Sequence, residues 1–279
     1  MQKLLAVEVA VMESIAQAQV RVASQLASSL RGRQGAGAPV RREFVLSPDK
    51  QGAPSPLITV ISAGSRGRGG PGGRVRLGLL LSSIWVAGSR SPFETFRTPS
   101  MWAELLGLPD PTTAGARSVR NAQRTLVAQN FFAEPTGAGR ETRRIKLLRE
   151  DGSGRDYTIP TGAKEQNDLY FRVPEVLWTQ GVIARLETPG LTMLLAALSV
   201  SRWDGEAGSF ESVVFRPKTS KEVFGISDAT RKRGLQELVM QGVLLDLSTS
   251  GSAHRLEGMP RNESKHYRLS STFRPMHRP

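Results

Sequence analysis

The sequence predicts an α+β fold, mainly α: two tandem units of helices and a β-hairpin, after an N-terminal helix and a Gly/Arg-rich linker. Three observations predict it. The stretch Lys218 to Leu247, KTSKEVFGISDATRKRGLQELVMQGVLLDL, reads as two helices joined by a tight turn and followed by a strand. The pattern has an upstream counterpart. Leu126-Val127-Ala128-Gln129 matches Leu238-Val239-Met240-Gln241 at an offset of 112, and Glu104 to Leu108 matches Glu222 to Ile226 at an offset of 118, the longer turn PDPTTAGA absorbing the difference. Each helix pair is also followed by apolar segments separated by Gly-containing turns, a hairpin signal.

Residues 1–31 read as one helix. Leu5, Met12 and Leu26 share one heptad position, Ile15 and Val22 another, and Val9 and Leu30 lie beside the seam, which Glu8 and Gln19 interrupt. Such a stripe calls for a cover. The expectation is a dimerising or partner-docking helix that makes a homodimer or higher assembly, the alternative a helix folded back onto its own chain. Residues 32–74 turn to Gly, Pro, Ser, Ala and Arg and read as a flexible basic linker, with one short strand at Leu57 to Ile61. AGSRGRGGPGGR (63–74) lacks the Gly-Lys-Ser/Thr ending of a phosphate loop and no clear helix is expected directly after it, so a tether touching phosphates non-specifically is the better reading.

Residues 75–162 form the first expected unit. Leu77 to Trp85 make a buried opening helix, Pro99-Ser100 start a second helix over Met101 to Leu106, and a third runs from Ala116 to Asn130. Val119, Ala122, Leu126 and Val127 form its apolar stripe; Arg117, Arg120, Asn121 and Arg124 occupy the other face. Phe131 to Ile159 then reads as a hairpin that carries Arg140, Arg143 and Arg144.

Residues 163–279 form the second. A strand at Leu169 to Val173, a short helix at Glu175 to Gln180, an apolar helix at Leu191 to Val200 and a strand at Phe210 to Phe215 precede the two-helix stretch. There a helix over Ser220 to Phe224, capped by Thr219 or Ser220, breaks at Gly225-Ile226-Ser227. Ser227 or Asp228 caps the next helix, which turns Leu235, Leu238 and Val239 inward. Its N-terminal turn and front carry Thr230, Arg231, Lys232, Arg233 and Gln236. A packed rear with a basic, amide-bearing front suits the major groove, where Arg and Gln can pair with base edges; a solvated charged face is the plainer alternative. Leu244 to Leu247 should pair with Tyr267 to Leu269 as a wing whose tip is the loop 250–264; Arg255 and Arg261 lie in that loop and Lys265 follows it.

Thirty-eight Lys and Arg against 25 Asp and Glu leave +13, which favours a polyanionic partner. The units carry about +4 and +3 of it, and the rest lies in residues 1–74. Without Cys there is neither a disulfide nor a thiolate metal site, and a reducing cytoplasm is the expected compartment. His254, His266 and His277 lack a useful ligand spacing, so no metal and no cofactor is expected. No apolar run is long enough to span a bilayer, and the N-terminus is a poor signal peptide. The carboxylate pairs Glu150-Asp151 and Asp204 with Glu206 sit in Gly-containing turns, and Tyr157, Tyr170 and Tyr267 lack the His and Arg framework of a strand-transfer enzyme. Trp85, Trp102, Trp178 and Trp203 read as core. The chain is not expected to be an enzyme.

The run E-x-F-G-I-S-x-x-T (Glu222 to Thr230), then R-G-L-x-E-L-x-x-x-G-V-L (Arg233 to Leu244), resembles the winged helix-turn-helix superfamily. The first unit departs from that pattern in its longer turn and in Asn130, which stands where Gly242 stands. The tandem arrangement is similar to two-winged-helix plasmid replication initiators and to helix-turn-helix proteins of high-GC bacteria. The resemblance implies sequence-specific binding of double-stranded DNA in replication, partition or transcription, in the cytoplasm at a nucleoid or plasmid. Arg117, Arg120, Asn121 and Arg124 would enter one major groove and Thr230, Arg231, Lys232, Arg233 and Gln236 another, with the hairpin cations on phosphate or minor groove. The rival from another class is a protein-interaction scaffold.

Overall fold

The computed structural model describes residues 2–30, 37–48, 53–63, 71–135, 144–163, 168–248 and 265–274, with the side chains of all of these except 2–12 and 71. It is an α+β structure in which helices dominate and the sheets are small and antiparallel.

Helix α1 (Gln2–Ser29) packs its C-terminal half against its own chain. Val22, Ala23 and Leu26 are buried, and the fully buried Gln19 donates from Nε2 to the Trp178 carbonyl at 2.9 Å. Of the two expectations for this helix, folding back describes residues 13–30. Strand β1 (Ala38–Arg41) and helix α2 (Pro56–Ser62) follow. Both correct the linker reading of residues 32–74. The strand is wholly buried and runs into a 3-10 turn, Arg42–Phe44, and Leu57 to Ile61 is helical rather than extended. The reason is local at α2, where Ser55 accepts from the Ile58 N–H and Pro56 occupies the first helical turn. A second correction concerns α3 (Pro71–Ala87), which starts inside the Gly-rich segment rather than at Leu77, just past its end.

From α3 onward the order helix, strand, two helices, strand occurs twice, with an inserted hairpin and one more strand in the second run. The first run is α3, β2 (Glu94–Thr95), α4 (Pro99–Leu105), α5 (Ala114–Ala128) and β3 (Ile145–Lys146). Between the runs lie β4 (Tyr170–Val173), α6 (Val176–Thr179) and α7 (Val182–Arg185). The second comprises α8 (Thr188–Val200), a short hairpin of β5 (Trp203–Asp204) and β6 (Ser209–Phe210), β7 (Val213–Val214), α9 (Pro217–Phe224), α10 (Asp228–Met240), β8 (Leu244–Asp246) and β9 (His266–Leu269).

The strand segments correspond. Val213 pairs with Tyr267 and Leu244 with Leu269, which puts β9 in the middle of a three-stranded sheet. Upstream, Thr95 pairs with Ile145 and Phe132 bridges Leu147, so the segment containing β3 again lies between its two neighbours. The hairpin expected over Phe131 to Ile159 is thus reduced to single bridges, Phe132–Leu147 and Leu148–Asp156, with β2 as an unforeseen partner. The continuous strand expected over Phe210 to Phe215 is two short ones.

Strand β4 does not join the second unit's sheet. It pairs with β1, Ala38 to Val173 through Arg41 to Tyr170. The junction is closed by a buried ionic network. Arg41 is completely buried; it donates from Nη1 to Glu150 at 2.8 Å, from Nε to Asp168 at 2.6 Å and from Nη2 to both oxygens of Thr158 at 2.8 Å, and its guanidinium lies over the Tyr157 ring. One apolar core runs from α1 through both repeated runs to Phe273.

Candidate nucleic-acid interface

Helix α5 is amphipathic. Ala116, Val119, Ala122 and Leu126 are buried against α3 and α4, while Arg117, Arg120, Asn121 and Arg124 stand exposed at spacings of three and four that place them on one face. Among the described residues, the side chains of these four make no ion pair and no hydrogen bond; the Thr125 hydroxyl reaches only the Asn121 backbone carbonyl, at 3.0 Å. The helix contains no carboxylate.

Helix α10 is held by a different rear. Gly234, Leu235 and Leu238 are buried on α8. The approach is so close that a Cβ at Gly234 would collide with the Pro189 carbonyl and the Met193 side chain, so only glycine fits. Ala229, Lys232, Arg233, Gln236 and Met240 are exposed. These five are the equivalents, at an offset of 112, of Arg117, Arg120, Asn121, Arg124 and Ala128, all exposed on α5. The two helices end alike. Asn130 and Gly242 both adopt a left-handed backbone, φ 61° and 67°. The next N–H then bonds back five residues, Phe131 to Leu126 and Val243 to Leu238, each at 2.9 Å. The preceding turns correspond too, with Gly107 and Gly225 left-handed at φ 60° and 68° before the buried Leu108 and Ile226.

The remaining expected residues divide by what holds them. Ser227 is the N-cap of α10, accepting from the Thr230 N–H at 3.2 Å, and the two hydroxyls lie 3.0 Å apart. Thr230 therefore serves the cap. Arg231 bonds Asp228 at 2.6 Å and the Phe215 carbonyl at 3.1 Å, half-withdrawn from solvent. Lys232 also reaches Asp228, at 2.9 Å, and the bonds from Arg231 and Lys232 hold that carboxyl below the usual aspartate range. Glu237, the other acid of α10, turns away from the front to accept from the Glu187 N–H. Arg144 pairs with Glu94 at 2.6 Å, and Lys265 with Asp246 at 3.1 Å. Burial works to raise Asp246, but the Ser248 N–H and Lys265 outweigh it and hold the carboxyl low. Arg140, Arg143, Arg255 and Arg261 lie outside the described residues.

Two exposed groups beside this front escaped the sequence reading. Met240 is 76% exposed one turn beyond Gln236, and Arg216 lies exposed just before α9. With Lys232, Gln236, Tyr267 and Lys265 they border a groove of about 620 Å³ between α10 and the sheet of β7, β9 and β8. The signal for Met240 was its i+4 spacing from Gln236; Arg216 had none, because its placement depends on how β7 meets α9.

Chemically the two fronts offer guanidinium, ammonium and amide donors. No group of His, Asp and Glu suited to a metal ion occurs among the described residues. Comparison of the chain with family models, curated proteins and solved structures finds no match.

Proposed function

We propose that the chain binds double-stranded DNA in a sequence-specific manner, through two tandem units of winged-helix type that present α5 and α10 to the major groove. The observation that carries this reading is the equivalence of the two exposed faces. Five matched helical positions point outward on each, and they hold Arg117, Arg120, Asn121 and Arg124 on one helix and Lys232, Arg233 and Gln236 on the other. Such side chains contact phosphates and, in bidentate pairs, guanine and adenine edges. The arrangement of β7, β9 and β8 alongside α10, with β9 central, supports a wing beside the reading helix. A replication or partition initiator, or a transcriptional regulator, of a bacterial chromosome, plasmid or phage is the role this implies.

The test is a gel shift with random and genomic duplexes at rising salt. Retention at about 50 mM salt is expected, where even non-specific phosphate contacts persist. The slope of log K against log salt should be negative, by about 0.9 for each phosphate contact the chain makes. A chain that retains no duplex at that salt does not bind DNA in this way.

A further inference from the structure

We infer that the two helices divide the work unequally: α5 is the principal reading helix, over a guanine-rich half-site containing an adenine, and α10 makes a second, weaker contact with a dissimilar sequence. This rests on the DNA reading and deepens it.

The duplication makes the comparison position by position. Arg117 corresponds to Ala229, Arg120 to Lys232, Asn121 to Arg233 and Arg124 to Gln236, so no matched pair has the same side chain. Two helices of one shape with different residues at each outward position read different bases. The target is therefore two unlike halves.

Availability decides which half dominates. On α5 all four groups are exposed and without a side-chain partner among the described residues, and no acid lies on the helix. On α10 the cations are partly spent within the chain. Arg231 is held by Asp228 and the Phe215 carbonyl, and Lys232 shares Asp228. Arg233 and Gln236 remain, and the neighbouring Lys265 is bonded to Asp246. A duplex approaching α10 meets the Asp228 carboxylate as well as the cations, whereas α5 presents three arginines and an amide alone. Arginine is the usual bidentate partner of guanine and asparagine of adenine, which sets the expected composition of the stronger half.

The experiment is selection from a random duplex library with the full chain, repeated with four exposed-site variants whose melting curves are first matched to wild type. The wild type should return two unlike halves, the richer in information being G-rich with one fixed A. Asn121→Ala should relax that A alone, and Arg120→Ala and Arg124→Ala should each lower affinity for the selected duplex about tenfold to a hundredfold. Arg233→Ala with Gln236→Ala should cost less than either and leave the stronger half intact. Two matching halves, or collapse of the motif in the α10 variant with the α5 variants unaffected, would overturn the division while leaving DNA binding in place. A wild type that retains no duplex at low salt would overturn the DNA reading, and this inference with it.

Discussion

Arg41 sits in a segment whose composition suggests a solvated tether, yet it is fully buried and bonded through Nε and both terminal nitrogens. It leaves water entirely, which is tolerable only because Glu150, Asp168 and Thr158 fill its donor positions and its own backbone N–H satisfies Glu150 at 3.0 Å. Burial works to lower the guanidinium's pKa, but the two carboxylates outweigh it and keep it above the ordinary arginine value. The carboxylates differ between themselves. Burial pushes Glu150 up against the pull of Arg41, whereas Asp168, which burial also tends to raise, is held low by the Thr161 N–H and hydroxyl and by Arg41. Removing the cation strands two buried acids at once. Arg41→Met is expected to lower the unfolding free energy by about 3–5 kcal/mol, the usual consequence of breaking a buried pair from one side. Urea titration measures it, and a loss below about 1 kcal/mol would mean that water replaces the guanidinium.

At the scale of elements, the ends of α5 and α10 show how two sequences satisfy one backbone requirement. Both chains turn through a left-handed residue, Asn130 in one and Gly242 in the other. A Cβ at Gly242 would meet nothing within 4 Å, so the penalty of Gly242→Ala is conformational alone, about 1–2 kcal/mol, while Asn130→Gly should be neutral or slightly stabilising. Thermal melts of the two variants compare them directly; equal losses at both sites would contradict the matched turns. These turns were legible because their causes are local: an apolar i, i+3, i+4 stripe, a residue tolerant of positive φ, a Ser cap. Leu57 to Ile61 reads as a strand although Ser55-Pro56 signals a helix start, because four β-prone apolar residues around Thr59 carry no helical period. Strand β1 was not legible at all, since its partner β4 lies more than a hundred residues downstream. The same limit holds in the candidate site. The face of Arg117, Arg120, Asn121 and Arg124 follows from spacing, as does the pairing of Arg231 with Asp228 one turn away, but the second anchor of Arg231, the Phe215 carbonyl, comes only from the packing of β7.

In the whole molecule, the two repeated runs are fastened to one another rather than strung in series: α3 packs directly on α8, and the first run is also tied to the segment between them. Trp85 of α3 stacks on Trp178 of α6 at 4.6 Å and 11°, and the Trp178 indole donates to Ser82 at 2.9 Å. Arg74, at the start of α3, donates to the Leu106 carbonyl beyond α4 at 2.8 Å and to those of Ala184 and Leu186 around the end of α7 at 2.7 and 3.0 Å. A cation there also answers the negative end of the helix dipole. Burial draws the Arg74 pKa below the usual arginine value, with Glu187 and Glu237 opposing. A core continuous from Val22 to Phe273 leaves neither run a separate apolar interior to unfold alone. Scanning calorimetry should therefore give one transition whose calorimetric and van't Hoff enthalpies agree. Arg74→Met should lower that single transition as a unit, by about 3 kcal/mol for the charged bonds it removes. If two transitions separate, or if Arg74→Met moves only part of the melt, the runs are independent bodies and the spacing between α5 and α10 is free. If the melt stays single, that spacing is fixed, and inserting base pairs between the two halves of a selected duplex should weaken binding in step with the helical turn.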